Sequence, residues 1–167
     1  ERLGQRRDIE LIALPKELRK DSSARRDAIN SSDVTFLCLP DDAAREAVEM
    51  AENGDTVIID TSTAHRTDPR FAYGFPELGA NFFERIRNSK RISVPGCHAS
   101  GFIALVYPLV KAGILSAGSC LCCTSLTGFS GGGKKMIAEY ESGDRSALLS
   151  SPRQYGLSQS HKHLKEM

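Results

Sequence analysis

The sequence has little excess charge of either sign and no long uninterrupted apolar run. Its 22 lysines and arginines nearly balance its 21 aspartates and glutamates, which leaves a formal net charge of +1. A nucleic-acid surface needs clustered basic charge, so no nucleic-acid partner is expected. The longest apolar stretch, residues 101–110, contains Pro108 and is too short to span a bilayer. The first eight residues lack the apolar core of a secretory signal, so no membrane partner is expected either.

The five cysteines lack the even count and regular spacing of a disulfide framework. Cys120, Cys122 and Cys123 crowd together, which favours a reducing, cytoplasmic setting and small core residues on one strand. These cysteines and the His161-Lys162-His163 segment contain metal-ligand residue types. Neither has the paired spacing of a structural zinc site, so no metal is predicted.

Strand-like and helix-like patterns alternate along the first 60 residues. They predict strand, helix, strand, helix and strand over residues 9–14, 16–30, 33–39, 43–52 and 56–59. Residues 33–39 are almost unbroken in their apolar character, as is typical of a strand inside a parallel sheet. Asp41 and Asp42 are predicted N-caps of the second helix. This alternation indicates an α/β fold with a Rossmann-like, doubly wound parallel sheet.

A Rossmann-like sheet normally opens with a strand and a Gly-x-Gly-x-x-Gly turn. Gly4 stands alone with no strand before it, so we expect the first strand and the glycine-rich loop to be missing from this sequence. Ligands of such sheets lie beyond the carboxyl ends of the strands. The loops after Pro40 and Asp60, the second of which contains Ser62, therefore lie where a cofactor is expected.

The pattern changes after residue 60. Residues 61–98 are rich in loops, and further elements are predicted as helices over 81–89, 101–111 and 134–141 and a strand over 119–126. The simplest division is a partial dinucleotide-binding domain over residues 1–96 and part of an α+β catalytic and dimerisation domain over residues 97–167.

Cys97 follows Pro95-Gly96 directly and precedes a predicted helix. Backbone amides and the helix dipole at such a position favour the thiolate, which is the nucleophilic form of cysteine. A buried structural cysteine is the alternative, and the flanking Gly96 and Gly101 disfavour it. A thiol nucleophile needs a partner for proton transfer, and His161 and His163 occupy alternate positions that would share one side of a strand.

Two further segments contain residues that can hold anions. The glycine-rich turn at residues 127–134 can cradle a phosphate or let the backbone pack against a nicotinamide ring, although most glycine turns are only turns. Its spacing does not match a Walker loop. Arg66 can hold a phosphate or a carboxylate through its planar guanidinium, and an exposed salt bridge is the alternative.

Six segments in this order resemble the N-acetyl-gamma-glutamyl-phosphate reductase family, in its shorter bacterial type, within the semialdehyde dehydrogenase superfamily. They are residues 39–44, 60–66, 73–77, 95–97, 128–134 and 161–166. The resemblance covers essentially the whole chain, and its specific motifs are Pro-Gly-Cys and His-x-His-x-x-Glu. His98, where tyrosine is more familiar, and Lys165, where proline is common, depart from the family pattern.

The resemblance implies NADPH-dependent reduction of N-acetyl-gamma-glutamyl phosphate to N-acetylglutamate semialdehyde in arginine biosynthesis, by a homo-oligomer acting on a small-molecule substrate. By position, Cys97 would be the nucleophile and His161 the general acid/base. Substrate-binding residues would be Arg66, as a candidate phosphate contact, with His163 and Glu166 nearby for substrate contact or orientation. Cofactor contacts would be Ser62, Gly128, Ser130, Gly131 and Gly132. Residues 9–14 offer no acidic residue at the strand end, which mildly favours NADP over NAD.

Two alternatives stay open from the sequence. Aspartate-semialdehyde dehydrogenase shares the fold and the thioester chemistry but would differ around the cysteine. A non-enzymatic nucleotide-sensing module would keep the α/β scaffold and have an unreactive Cys97. The choice of His161 over His163 as the general acid/base rests on motif alignment, because spacing alone does not separate them.

Overall fold

A computed structural model describes residues 2–167 of the chain. Five α-helices and four strands follow one another in the order α1 Ser22–Asn30, β1 Val34–Leu37, α2 Asp41–Glu49, β2 Val57–Asp60, β3 Ala72–Tyr73, α3 Ala80–Asn88, β4 Arg91–Ser93, α4 Cys97–Lys111 and α5 Gly133–Glu141. Short 3-10 turns connect them at Leu3–Gln5, Leu18–Lys20, Pro76–Leu78, Phe129–Gly132, Ala147–Ser150 and Lys162–Lys165. Among these residues, no helix is both long and apolar enough to cross a membrane.

The four strands form one parallel sheet in the order β1-β2-β4-β3. At their carboxyl ends, Leu37 pairs with Asp60, and Asp60 pairs with Ser93. Because all strands point the same way, the loops that follow Leu37, Asp60 and Ser93 meet at one edge of the sheet. The predicted α/β fold with a parallel sheet is confirmed, and this edge holds the candidate site.

The hydrophobic core lies between the sheet and the first two helices. It contains Ile29, Leu37, Ala47, Val48, Met50, Ile58 and Phe71. Burial of each large apolar side chain contributes roughly 1.5–3 kcal/mol. The start of α1 is fixed by Asp21, whose side chain accepts a hydrogen bond from the Ala24 amide at 2.7 Å. Asp21 satisfies one of the free amides of the first helical turn.

Two predicted strands, over residues 9–14 and 119–126, are not strands in the structure. Leu11 and Ile12 are each 54% exposed, and neither segment joins the sheet. A strand is stable only when a neighbour pairs with its backbone and covers one face, and apolar composition does not supply that neighbour. Cys120, Cys122 and Cys123 are exposed, so their interpretation as core residues on a strand is wrong.

The predicted strand for the histidine pair is also wrong. Residues Lys162–Lys165 form a 3-10 turn, with His161 as its N-cap. The backbone of this segment is held by local hydrogen bonds, since the Leu164 amide donates to the His161 carbonyl at 3.0 Å. Alternate positions on a strand therefore do not explain how the two imidazoles come together.

Other differences concern helix ends and one sheet face. Pro40 is the N-cap of α2, and Asp41 and Asp42 lie in its first turn, where negative charge complements the helix dipole. β1 is an edge strand whose Val34 and Phe36 are exposed, so only one of its apolar faces is buried. The predicted helices are all present with shifted bounds, and α4 begins at Cys97, four residues earlier than expected.

Candidate functional site

Cys97 is the first residue of α4, directly after the loop that leaves β4. Its side chain is exposed and free. Gly96 is the N-cap of the helix and makes no side-chain cap, while its carbonyl accepts hydrogen bonds from the amide and the hydroxyl of Ser100 at 2.8 and 2.9 Å. The first amides of a helix have no intrahelical acceptor, so the thiol lies where backbone donors favour an anion.

Gly96 has no space for a side chain. A Cβ at this position would lie 2.5 Å from the His163 ring and 2.6 Å from Arg66 Nη1. The residue before Cys97 is therefore in direct contact with two of the predicted substrate-binding residues. Only glycine allows this approach, because any other residue would displace both side chains.

Glu166 lies on the other side of this turn. Its Oε1 accepts a hydrogen bond from Arg66 Nη1 at 2.7 Å. Its Oε2 accepts from the Tyr73 hydroxyl and from the Gly96 amide, each at 2.9 Å. The Glu166 side chain is 1% exposed and that of Arg66 8%. Arg66 also donates to the Thr61 carbonyl at 3.0 Å, so its ion pair belongs to a buried, charge-assisted network and is not the exposed salt bridge that stood as the alternative.

Three histidines form a cluster beside Cys97. The rings of His161 and His163 meet edge to face at 4.6 Å, and His98 lies 5.8 Å from each. His161 Nδ1 accepts a hydrogen bond from the His163 amide at 3.2 Å, so the neutral ring carries its proton on Nε2. His161 therefore presents an N–H donor at Nε2 within the histidine cluster.

His98 connects this cluster to two other segments. Its Nδ1 lies 2.7 Å from the Ser125 hydroxyl, and its Nε2 lies 2.6 Å from the Tyr155 hydroxyl. His98, the residue after Cys97, is thereby hydrogen-bonded to the segment that leads into the glycine-rich turn. Sequence reasoning recorded His98 only as a departure from the family pattern, and nothing in its spacing indicated these contacts.

His163 is almost completely buried, and burial lowers the pKa of its imidazole below the ordinary value. Glu166 acts in the opposite direction on this pKa, and the neighbouring His161, Arg66 and His98 lower it further. The folded state therefore favours the neutral ring, and its Nδ1 has no hydrogen-bond partner among residues 2–167.

This lowered pKa predicts acid sensitivity. Below about pH 6.5 the unfolded chain binds a proton at His163 that the folded chain does not, so stability falls as pH falls from that point until the folded pKa is passed. A His163→Gln variant is expected to lose less melting temperature than the native protein between pH 7.5 and pH 5.5. Equal losses, measured by thermal denaturation in matched buffers, would contradict this expectation.

The loop after β2 holds Ser62 inside a buried polar network. The Ser62 amide and hydroxyl donate to the Asp60 carboxylate at 2.9 and 2.8 Å, and His65 Nδ1 lies 2.6 Å from Asp60 Oδ2. The His65 ring stacks on Phe71 at 4.3 Å. These contacts give the loop that carries Arg66 a defined shape. The Asp-x-Ser spacing is a signal for such a turn, which the sequence interpretation did not use.

The glycine-rich turn is a separate, exposed part of the site. Gly128, Ser130, Gly131 and Gly132 are exposed, and the 3-10 turn Phe129–Gly132 leads directly into α5. A Cβ on Gly132 would lie 2.4–2.7 Å from Met136 atoms, so the Met136 side chain leaves no space for a side chain at Gly132. An exposed backbone without side chains fits close approach by the flat ring of a nicotinamide. Ser62 fits less directly, because its hydroxyl is committed to Asp60.

The structure thus brings Cys97, Arg66, His161, His163 and Glu166 together and places Ser62 in the buried loop that precedes Arg66. Models of two semialdehyde dehydrogenase domains match this chain. The NAD binding domain matches residues 7–86, and the dimerisation domain matches residues 97–167. The chain belongs to the semialdehyde dehydrogenase family.

Curated relatives narrow the comparison. The chain is 49% identical over 166 residues to N-acetyl-gamma-glutamyl-phosphate reductase of Chelativorans sp. (strain BNC1), which covers 99% of the chain and 53% of the relative. It is 44% identical over 168 residues to the reductase of Rhizobium etli, at 99% and 54% coverage. It is 47% identical over 166 residues to N-acetyl-gamma-glutamyl-phosphate reductase 2 of Pseudomonas putida, at 99% and 53% coverage. The chain spans about half the length of these relatives, and no solved structure matches it.

Proposed function

We propose that the protein containing this chain reduces N-acetyl-gamma-glutamyl phosphate to N-acetylglutamate semialdehyde with NADPH, as a step of arginine biosynthesis. The observation that carries the proposal is the exposed Cys97 at the start of α4, beside the histidine pair and a buried arginine. The names of the relatives at 44–49% identity support the substrate. The segments matched by the two family models support domains over residues 1–96 and 97–167.

Cys97 acts as the nucleophile in this proposal. Its thiolate attacks the acyl carbon, a carbon–sulfur bond forms, and the carbon–oxygen bond to phosphate breaks, which leaves a thioester on Cys97. The free amides at the start of α4 stabilise the negative oxygen that develops during attack. The nicotinamide cofactor supplies the hydride that reduces this thioester when it is bound. Collapse of the reduced adduct then releases the aldehyde and returns the Cys97 thiolate.

His161 is proposed as the general acid/base, because its ring packs against His163 in the histidine cluster and presents an N–H at Nε2. Arg66 and His163 are proposed on the substrate side, which is supported by their buried atoms Arg66 Nε and His163 Nδ1. Neither atom has a hydrogen-bond partner among residues 2–167. Glu166 remains a predicted substrate contact because of its position in the His-x-His-x-x-Glu motif of the family. Its three protein partners give it a further role, which is argued below.

Cofactor contacts are proposed at the carboxyl edge of the sheet and at the glycine-rich turn. The bare, exposed backbone of the turn supports Gly128, Ser130, Gly131 and Gly132 as neighbours of the nicotinamide end. Ser62 is proposed to contribute through the shape of its loop. A cytoplasmic homo-oligomer is proposed as well, which is supported by the dimerisation-domain match and by Leu105, exposed by 74% on α4.

The reverse reaction tests the proposal most directly. Full-length protein is expected to reduce NADP with N-acetylglutamate semialdehyde only when phosphate is present. The absorbance of the reduced nicotinamide measures the rate. Phosphate dependence is the sign of a thioester that phosphate must cleave. Turnover of aspartate semialdehyde in its place would establish the rival dehydrogenase. Binding of NADP without turnover of either aldehyde would favour the nucleotide-sensing module.

A further inference from the structure

Both carboxylate oxygens of Glu166 are engaged by protein donors. Oε1 accepts from Arg66, and Oε2 accepts from Tyr73 and Gly96, at 2.7, 2.9 and 2.9 Å. With 1% of its side chain exposed, Glu166 presents almost no surface to a ligand. A residue that contacts substrate needs a free, accessible polar atom, and Glu166 has none, because both of its oxygens are occupied by protein donors.

The three donors come from three different segments of the fold. Arg66 lies within the loop between β2 and β3, Tyr73 ends β3, and Gly96 is the N-cap of α4. The carboxylate therefore joins the carboxyl edge of the sheet to the turn that presents the nucleophile. Because the Gly96 amide donates to Glu166, the peptide before Gly96 has little freedom to rotate. This restriction acts directly before Cys97, which is the next residue.

We propose that Glu166 is a positioning residue that holds the Pro95-Gly96-Cys97 turn and the Arg66 guanidinium in their working geometry. The proposal rests on the proposed function, and it assigns Glu166 to the protein scaffold of that site instead of to direct substrate contact. It extends the same role to Tyr73, whose hydroxyl donates to the same oxygen as Gly96. Burial and the bond to Glu166 raise the pKa of Tyr73, so its hydroxyl stays protonated and keeps donating.

A carboxylate is needed here for a chemical reason. All three partners are donors, and an ionised carboxylate only accepts. Glutamine has one accepting oxygen, and its amide nitrogen would face at least one of the donors. Arg66 would also lose the charge that compensates it in a nearly buried position. The charge and the acceptor count at Glu166 are thus matched to the three groups that it holds.

The test compares Glu166→Gln and Tyr73→Phe with the native full-length protein. The matched control is Glu46→Gln, which breaks an ion pair between Arg25 and Glu46 on the surface of α2, where half of the glutamate side chain is exposed. Two measurements are made on each protein. The first is kcat and KM for N-acetylglutamate semialdehyde, and the second is the iodoacetamide alkylation rate of Cys97 without substrate. Mass spectrometry of the Cys97 peptide gives this rate, with exposed Cys38 as the internal reference.

Glu166→Gln is expected to lower kcat by about 10- to 100-fold with KM within about threefold, because a small misplacement of a reacting group costs this much. The Cys97-to-Cys38 alkylation ratio is expected to fall by about threefold or more. Tyr73→Phe removes one donor and keeps the ion pair, so it is expected to move both quantities in the same direction by about two- to tenfold. Glu46→Gln is expected to change neither.

A rise in KM alone, with kcat and the Cys97 alkylation ratio unchanged in both variants, would overturn the proposal in favour of direct substrate contact. Because alkylation is measured without substrate, it tests the positioning role even if the native protein does not turn over this aldehyde. In that case the proposed function fails while the alkylation ratio still supports or overturns the inference. If Glu166→Gln does not fold, Tyr73→Phe decides by the same two criteria.

Discussion

Replacement of Cys97 by serine is expected to lower phosphate-dependent reduction of NADP by about 10³-fold or more. The serine hydroxyl is almost fully protonated at neutral pH, whereas a cysteine at a helix N-terminus has access to its thiolate. An ester formed on serine would also release its oxygen far less readily than a thioester releases sulfur. Cys97 is exposed, so the substitution is expected to leave the fold intact. The measurement is the initial rate of NADP reduction, followed by the absorbance of the reduced nicotinamide, with native and variant proteins at equal concentration.

The matched control for this experiment is Cys120→Ser, which changes another exposed cysteine outside the proposed site. Its rate is expected to stay within about twofold of the native rate, as is usual for an exposed position without special contacts. Retention of most activity in the Cys97 variant, with a native-like melting temperature, would remove the thioester mechanism. It would leave the α/β scaffold in place and require a reduction that does not pass through Cys97.

The two histidines of the cluster are expected to fail in different ways. His161→Gln should lower kcat by about 10²- to 10⁴-fold with little change in KM, since general acid/base catalysis contributes that much. The reason is geometric, because the bond from the His163 amide occupies His161 Nδ1 and leaves the proton of the neutral ring on Nε2. His163→Gln should mainly raise KM, since burial keeps the His163 ring neutral and its Nδ1 is left without a partner among residues 2–167.

Steady-state kinetics over pH 5.5–9 distinguish these roles. The kcat profile of the His161 variant is expected to lose one limb, whereas the profile of the His163 variant should keep both limbs. The reverse pattern would assign the acid/base role to His163 and leave His161 as the group that caps the 3-10 turn at Lys162–Lys165. This comparison settles a choice that the spacing of the motif left open.

Much of the fold follows from local patterns. The order of apolar runs and helix-like segments predicts α1, β1, α2 and β2, because each of these segments is long enough to show its own local pattern. It does not predict β3 and β4, which have two and three residues and are too short to show a period. The segment 9–14 has the composition of a strand without a neighbour to pair with in the sheet. Pairing is a tertiary property and is not contained in the segment itself.

In the candidate site, too, local sequence signals predict some features, and contacts between distant residues determine the others. The sequence places Cys97 after a Pro-Gly turn and directly before a helix, because that signal is local, and the structure makes Cys97 the first residue of this helix. The contact of Glu166 with Tyr73 and Gly96 joins residues that are 93 and 70 positions apart, so no local pattern contains it. Tyr73 lay in a motif whose chemistry alone indicated only a rigid turn. Its role emerges from the partner that the fold brings to it.

These separations bear on when the site can form during synthesis. The bonds of Glu166 to Arg66, Tyr73 and Gly96 close loops of 100, 93 and 70 residues. Contacts this distant in sequence form late, because the chain entropy lost on closing the loop must be compensated by structure already in place. On the ribosome, the sheet up to β4 and the cysteine itself emerge well before residue 166 does. A nascent chain therefore carries the Cys97 turn without its bond to Glu166, and that bond can form only after the acidic residue far downstream has been made.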